Sequence, residues 1–213
     1  RKTVLIEKPI ASLMGIGLDA SHMEGAMIVD VGGGTTSVSV ASVHGIVVSD
    51  YSRMAGTAMD QAIIARVREV YKVEIGRKAA ELVKIALGAS WHIDNRKRST
   101  SVCGTSLVTG LPVKIEVTGK VAAEALTPVL EHIFRKVRSV LQKTPPALLA
   151  DIRDHGIMIT GGAGQLKGLD QMITNLTGIP AYVVEHPLYV NAIGAGTALG
   201  YMNDLRDSMQ DLR

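Results

Sequence analysis

Two apolar segments of this chain each run directly into a cluster of glycines, and this pattern restricts the fold more than any other feature. Residues 26–30 are apolar up to a final acid and precede three glycines at 32–34. Residues 157–160 precede a second cluster at 161–164. Glycine has no Cβ, so backbone N–H groups in such turns approach phosphate oxygens closely. The pattern predicts that both turns face one cleft and hold a phosphate group between them.

The first turn also carries side chains suited to phosphate and metal. Asp30 ends the strand, where a carboxylate can hold a hydrated divalent metal ion, and Thr35 and Thr36 offer hydroxyl donors. An ordinary glycine-rich hairpin is the alternative, and glycine turns between a strand and a helix are common. Neither turn matches the dinucleotide fingerprint or the lysine-bearing phosphate loop, so a classical P-loop enzyme is excluded.

The composition limits the class of protein. With 46% apolar residues, the 213-residue chain can bury the core of one large or two small domains. No apolar run approaches the roughly 20 residues that span a bilayer, and the single Cys103 cannot form an internal disulfide. We therefore expect a cytosolic protein in which Cys103 is a buried thiol. One Phe, one Trp and a net charge of +3 argue against nucleic-acid binding.

Strand and helix patterns alternate along the chain without long linkers, which favours a mixed α/β sheet covered by helices. Apolar residues recur every three to four positions in 58–71, and helices are also predicted for 77–87 and 121–142. Residues 91–106 are polar and are predicted to be irregular, and we expect strands at 106–108 and 113–117.

The chain carries a further set of motifs in a definite order and spacing. They are Ile6-Glu7-Lys8-Pro9, residues 27–36, Ala55-Gly56, Thr109-Gly110-Leu111-Pro112, Lys143-Thr144-Pro145-Pro146, and Thr160-Gly161-Gly162 with Gly168-Leu169 behind it. In that order and spacing they closely resemble the MreB family of bacterial actins, which help to define rod shape, and the resemblance runs from Val4 to about Leu199. Related actin-fold ATPases, including sugar kinases and the seventy-kilodalton heat-shock chaperones, share the glycine turns but not the stretches at 109–112 and 144–146.

The resemblance implies the C-terminal half of an actin-like (ribonuclease H-like) ATPase with ATP and Mg²⁺ as cofactors. Asp30 would hold the metal ion through water. Glu81 and Lys84, one helical turn apart, match the family's ribose and adenine contacts, with an exposed ion pair as the alternative. The other implied contacts are Gly32, Gly33, Gly34 and Thr35 at the β- and γ-phosphates, Gly56 beside the nucleotide, and Gly161, Gly162 and Gly164 under the adenosine.

Three parts are expected along the chain. Residues 1–25 form the end of a preceding domain and a connecting helix. Residues 26–56 and 119–213 form the actin-like nucleotide-binding subdomain, and residues 57–118 form a small inserted α/β subdomain. The chain has no initial Met and its first apolar strand precedes any turn, which suggests a part of a longer protein.

One position departs from the family where hydrolysis is expected. The family usually has two Glu before Pro, whereas this chain has Glu7 and Lys8 before Pro9. The second Glu is thought to position the attacking water, and Lys8 cannot accept a proton from that water as a carboxylate does. We therefore expect nucleotide binding with slow hydrolysis, unless Glu7 substitutes. The basic stretch at 91–102 also matches the family poorly.

By the same resemblance, the protein is expected to assemble with itself into cytoplasmic filaments peripheral to the membrane. Head-to-tail contacts that do not close produce such filaments. The implied partners are the cytoplasmic face of the membrane and cell-wall synthesis proteins, with no nucleic acid. An actin-fold chaperone or kinase-type ATPase, or a regulatory paralogue that binds nucleotide without polymerising, remains an alternative.

Overall fold

The structure is a computed structural model that describes residues 3–18, 25–43, 45–88, 98–201 and 209–212. The strands are β1 (Thr3–Ile6), β2 (Ala26–Val31), β3 (Thr36–Ser42), β4 (Gly45–Ser52), β5 (Val73–Glu74), β6 (Ser99–Ser106), β7 (Pro112–Thr118), β8 (Ile157–Thr160), β9 (Ala181–Val183) and β10 (Met209–Leu212). The helices are α1 (Lys8–Ile16), α2 (Gly56–Tyr71), α3 (Arg77–Leu87), α4 (Gly119–Lys143), α5 (Pro146–His155), α6 (Leu169–Thr177) and α7 (Val190–Ala198).

A five-stranded mixed sheet in the order β4-β3-β2-β8-β9 carries both glycine turns. Strands β2, β3 and β4 are antiparallel neighbours, whereas β8 is parallel to β2 and β9 is parallel to β8. Every residue of β2 is buried. Met27 and Val29 enter one hydrophobic cluster, and Ala26 and Ile28 enter another. Because side chains alternate along a strand, both faces of the sheet are covered, and the predicted mixed α/β class is confirmed.

A second, three-stranded sheet in the order β5-β6-β7 lies within residues 57–118 together with α2 and α3. Assignment of this region as a separate subdomain stays a prediction. The strand predicted at 106–108 is wrong, because β6 ends at Ser106 and the chain turns there. The Ser106 hydroxyl accepts hydrogen bonds from the backbone N–H groups of Val108 and Thr109 at 3.3 and 3.2 Å. The prediction of an irregular stretch over 91–106 is wrong for residues 99–106, which form β6, and residues 91–97 lie outside the described residues.

The 25-residue helix α4 connects the two sheets. Its first turn is capped by the Thr118 hydroxyl, which accepts a hydrogen bond from the Val121 backbone N–H at 3.4 Å. The helix contacts α2, α3 and β7 near the smaller sheet and also β3, β4 and α6. It ends where Pro145 and Pro146 follow, as predicted, since proline lacks the N–H that would continue it.

Two further features differ from the sequence-based expectations. Helix α5 begins at Pro146 and was not predicted, although proline is favoured at a first helical position, where its missing N–H would be unpaired in any case. Cys103 was expected to be buried, but it is exposed on β6, because the neighbouring Val102 points to the core instead. In the described part of the chain, no helix is long and apolar enough to cross a bilayer.

Candidate functional site

The two glycine turns lie side by side at one edge of the five-stranded sheet. Strands β2 and β8 pair in parallel with Asp30 opposite Thr160, so both strands enter their turns at the same level. The first turn is closed by a hydrogen bond from the Gly32 N–H to the Thr35 carbonyl at 2.9 Å. The second turn bends through Gly161, whose φ of +85° is accessible to few residues other than glycine.

The start of α2 is joined to the first turn. The Gly56 N–H donates to the Gly32 carbonyl at 3.0 Å, and the Thr57 N–H donates to the Gly33 carbonyl at 2.7 Å. These bonds satisfy two of the N–H groups that a helix leaves unpaired at its first turn. They also fix the helix that leads into residues 57–118 against the turn that leaves β2.

A cavity of about 820 Å³ opens beside these turns. Five of the predicted contacts line it: Gly33, Gly56, Glu81, Lys84 and Gly162. The other wall-forming residues are Thr57, Asp60, Arg77, Lys78, Ile85, Ala163, Gln165, Leu166, Lys167 and Leu188. The remaining predicted contacts are not among its lining residues: Asp30, Gly32, Gly34, Thr35, Gly161 and Gly164.

The lining includes a buried ion pair that links α2 to α3. The Lys84 ammonium lies 2.7 Å from Asp60 Oδ1, and both side chains are at least nine-tenths buried. The same ammonium is 3.4 Å from the Gly56 carbonyl. Sequence reasoning identified Lys84 but missed Asp60, because its partner is 24 residues away and no local spacing connects them.

Asp30 lies beneath the turns with a side chain only 2% exposed. Its Oδ2 accepts hydrogen bonds from the Lys8 ammonium at 2.9 Å and from the Asn191 side-chain amide at 2.8 Å. Its Oδ1 is buried and lacks a hydrogen-bond partner. The Ser12 hydroxyl contacts the Asn191 side chain and also donates to the Lys8 carbonyl at 3.0 Å. The carboxylate is therefore held by α1 and α7 together.

The expected divalent metal ion fits this arrangement poorly. The Lys8 ammonium already neutralises the Asp30 carboxylate, and a second cation nearby would be repelled. Residues 3–18, 25–43, 45–88, 98–201 and 209–212 contain no group of three or more His, Cys, Asp or Glu side chains able to hold a metal ion. Glu7, the possible substitute for the water-positioning carboxylate, is exposed at the N-cap of α1.

Two groups with shifted pKa values lie outside the cavity lining. The Lys136 ammonium donates a hydrogen bond to Asp50 and lowers the pKa of that carboxyl below its usual 3.8. Hydrogen bonds to Glu124 and Glu69 raise the pKa of Arg66 above its ordinary value. Both pairs connect α4 to another element, so they concern the packing of that helix and not the site.

Comparison with known proteins gives consistent matches over most of the chain. The model of the MreB/Mbl protein family matches residues 1–207. The cell shape-determining protein Mbl of Bacillus subtilis (strain 168) is 39% identical over 201 residues, covering 94% of this chain and 60% of Mbl. The cell shape-determining protein MreB of Escherichia coli (strain K12) is 40% identical over 199 residues, covering 93% of this chain and 57% of MreB. The chain thus spans little more than half the length of these relatives.

A solved structure gives the same result at the level of the fold. The crystal structure of MreB 5 of Spiroplasma citri bound to AMPPNP is similar to this chain with a TM-score of 0.86 and 28% sequence identity. The match covers 94% of this chain and 60% of that one. The same protein bound to ADP gives a TM-score of 0.87 at 27% identity.

Proposed function

Since the chain belongs to the MreB/Mbl protein family, we propose that it forms part of the ATP site of an actin-like protein involved in cell shape. The curated relatives are named as cell shape-determining proteins. The solved MreB 5 structures are described as bound to AMPPNP and ADP. Because this chain spans 57% to 60% of its relatives, the residues described here form one part of the proposed site.

One observation carries the proposal: residues from both glycine turns line a single cavity together with α3. Gly33 and Gly162 come from the two turns, and Glu81 and Lys84 come from the helix opposite. A cavity of about 820 Å³ lies within the usual size range of small-molecule sites. Backbone amides on one side and charged side chains on the other suit a ligand with a phosphate end and a polar sugar.

The residues of the cavity have distinct proposed roles. The backbone at Gly33 would approach the phosphates, where a side chain would obstruct them. Gly56 would lie beside the nucleotide, and Gly162 would lie under the adenosine. The exposed carboxylate of Glu81 would accept hydrogen bonds from ribose hydroxyls. Lys84, held in place by Asp60, would lie beside the adenine of the nucleotide. Bound ATP would supply the γ-phosphoryl group that hydrolysis removes.

Slow hydrolysis is part of the proposal. Lys8 stands where the family usually has a carboxylate, and its ammonium is engaged with Asp30. A group held in this way neither positions a water molecule by accepting its proton nor acts as a base. Mg²⁺ binding at Asp30 is not part of the proposal, because the Lys8 contact opposes it.

Assembly and cellular context are proposed from family membership alone. In this proposal the protein forms filaments with itself, at the cytoplasmic face of the membrane, and acts with cell-wall synthesis proteins. A regulatory paralogue that binds nucleotide without assembling is the second candidate, and Lys8 is the observation that favours it. Nucleotide-dependent pelleting of the full-length protein, with electron microscopy of the pellet, separates these two functions.

Titration of the full-length protein with ADP tests the central proposal. Saturable binding is expected, and Glu81→Ala should weaken it about tenfold, since a hydrogen bond to a charged group is lost. Glu116→Ala, an exposed change on β7 outside the cavity lining, is the matched control and should leave affinity unchanged. Absence of ADP binding by the wild-type protein would contradict the proposal. Phosphate release with ATP should be slow and should rise in Lys8→Glu.

A further inference from the structure

The Asp30 carboxylate is buried and therefore needs a positive partner. Removing a carboxylate from water is strongly unfavourable unless a counter-charge and hydrogen bonds replace the lost solvation. In this structure the counter-charge is the Lys8 ammonium at 2.9 Å. The Asn191 amide adds a neutral hydrogen bond to the same oxygen. The carboxylate is thus already neutralised by the protein itself.

The position of Lys8 is set by the packing of two helices. Lys8 is the first residue of α1, and Ser12 lies one turn further along the same helix. The Ser12 hydroxyl contacts the Asn191 side chain, which comes from α7. Helix α1 packs directly against α7, so the ammonium and the amide reach Asp30 from two elements that support each other.

Asp30 is also close to the place where phosphate is proposed to bind. It ends the strand that enters the first turn, and it is in register with Thr160 at the start of the second. A Cβ built on Gly161 would lie 2.7 Å from Asp30 Oδ1, so the second turn passes directly over the carboxylate. Phosphate oxygens near an unneutralised carboxylate would be repelled. Phosphate binding here therefore requires a cation at Asp30.

We propose that the Lys8 ammonium is that cation, so that this protein binds nucleotide without a divalent metal ion. The inference rests on the nucleotide binding proposed above and specifies its charge requirement. Lys8 contributes one positive charge on a covalent tether, and its side chain remains 43% exposed. A divalent cation at the same carboxylate would be repelled by the Lys8 ammonium. The carboxylate could offer it one oxygen that has no hydrogen-bond partner, Asp30 Oδ1.

The first test compares ADP affinity of the full-length protein in buffer with MgCl₂ and in buffer with EDTA. The wild-type affinity should change less than threefold between the two. Lys8→Glu places a second carboxylate beside Asp30, and its affinity should fall at least tenfold in EDTA and recover with Mg²⁺. A tenfold loss of wild-type affinity in EDTA would overturn the inference while leaving nucleotide binding intact. Equal metal dependence in both proteins would overturn it as well.

A second test needs no nucleotide and separates the two proposals. Melting temperatures are measured with and without MgCl₂ for the wild type, for Lys8→Met and for Lys8→Arg. Mg²⁺ should raise the melting temperature of Lys8→Met by several degrees and leave the other two unchanged, because both retain a cation at Asp30. Lys120→Glu, a charge reversal at an exposed position of α4, is the control. An identical response of wild type and Lys8→Met contradicts the inference, even if ADP binding fails altogether.

Discussion

At the scale of single residues, buried charge determines how the cavity is built. Asp60 and Lys84 have side chains only 8% and 10% exposed, and each is the other's counter-charge. Such a pair is costly to bury, and its attraction compensates only while both partners are present. Removing one partner leaves an isolated charge in a region of low dielectric constant, whereas removing both leaves none.

Lys84→Met should therefore destabilise the protein by about 3 to 5 kcal/mol. The double variant with Asp60→Leu should regain most of that loss, since no unpaired charge remains. Urea unfolding measures the stability of the single and the double variant. Lys78→Met changes an exposed lysine that lines the same cavity and should stay within about 0.5 kcal/mol of wild type. A single variant as stable as the double would show that the pair is not coupled.

The sequence located the backbone of the site better than its charges. The two glycine turns were predicted from local order and spacing, whereas Glu81 and Lys84 were named from the family resemblance. Asp60 and Asn191 were not, because each acts on a residue far away in the chain: Asp60 on Lys84 and Asn191 on Asp30. Lys8 was identified as unusual, but its contact with Asp30 depends on how α1 crosses the sheet, which no local pattern specifies.

At the scale of elements, the contact between α1 and α7 depends on two glycines. A Cβ built on Gly194 of α7 would overlap the Ala11 carbonyl oxygen of α1, and a Cβ on Gly15 would overlap the Val190 carbonyl oxygen. The backbones therefore touch where the side chains are absent. This close approach brings Asn191 to Asp30 and places α1 over β2.

Gly194→Ala should destabilise the protein by about 1 to 3 kcal/mol, because the helices must separate to admit a methyl group. Gly196→Ala is the control on the same helix, with nothing within 4 Å of the added Cβ. It should stabilise by up to about 1 kcal/mol, the helix-propensity difference between the two residues. Thermal unfolding compares the stabilities of the two variants. Stability changes of the same sign would show that the contact between α1 and α7 is loose.

Helices and strands were predictable where apolar residues recur at a regular period, and less so where they do not. The alternation in β6 is weak, since Ser, Thr and Gly occupy most of its positions, and the strand exists because β7 pairs with it over seven residues. Helix α5 has a proline at its start and few buried side chains, so periodicity did not reveal it. Strand pairing, which no local pattern specifies, thus decides β6.

At the scale of the whole molecule, α4 joins the two sheets into one packing unit. One stripe of the helix contributes buried side chains along most of its length, from Val121 to Val140. The helix contacts β3 and β4 in the larger sheet and β7 in the smaller one. The ion pair between Lys136 and Asp50 at 2.9 Å adds a polar link to β4. The walls of the cavity thus share one support.

Ile133→Ala should cost about 2 to 5 kcal/mol, because Ile133 is fully buried and its loss leaves a cavity. If α4 supports both sheets, amide hydrogen exchange in the Ile133→Ala variant should become faster in β4 and in β7 together. Glu131→Ala, an exposed neighbour on α4, should affect neither strand. Faster exchange confined to one strand would mean that the two sheets open independently.

Two separate constraints, on backbone conformation and on space, require glycine at position 161. Its positive φ excludes most other residues, and the Val31 carbonyl and Asp30 Oδ1 occupy the space that a Cβ would need. A compensating mutation elsewhere could make room, but it could not change the handedness of the backbone at this position. Second-site suppressors of a change at 161 should therefore be much rarer than suppressors of Gly194→Ala, where crowding is the sole obstacle.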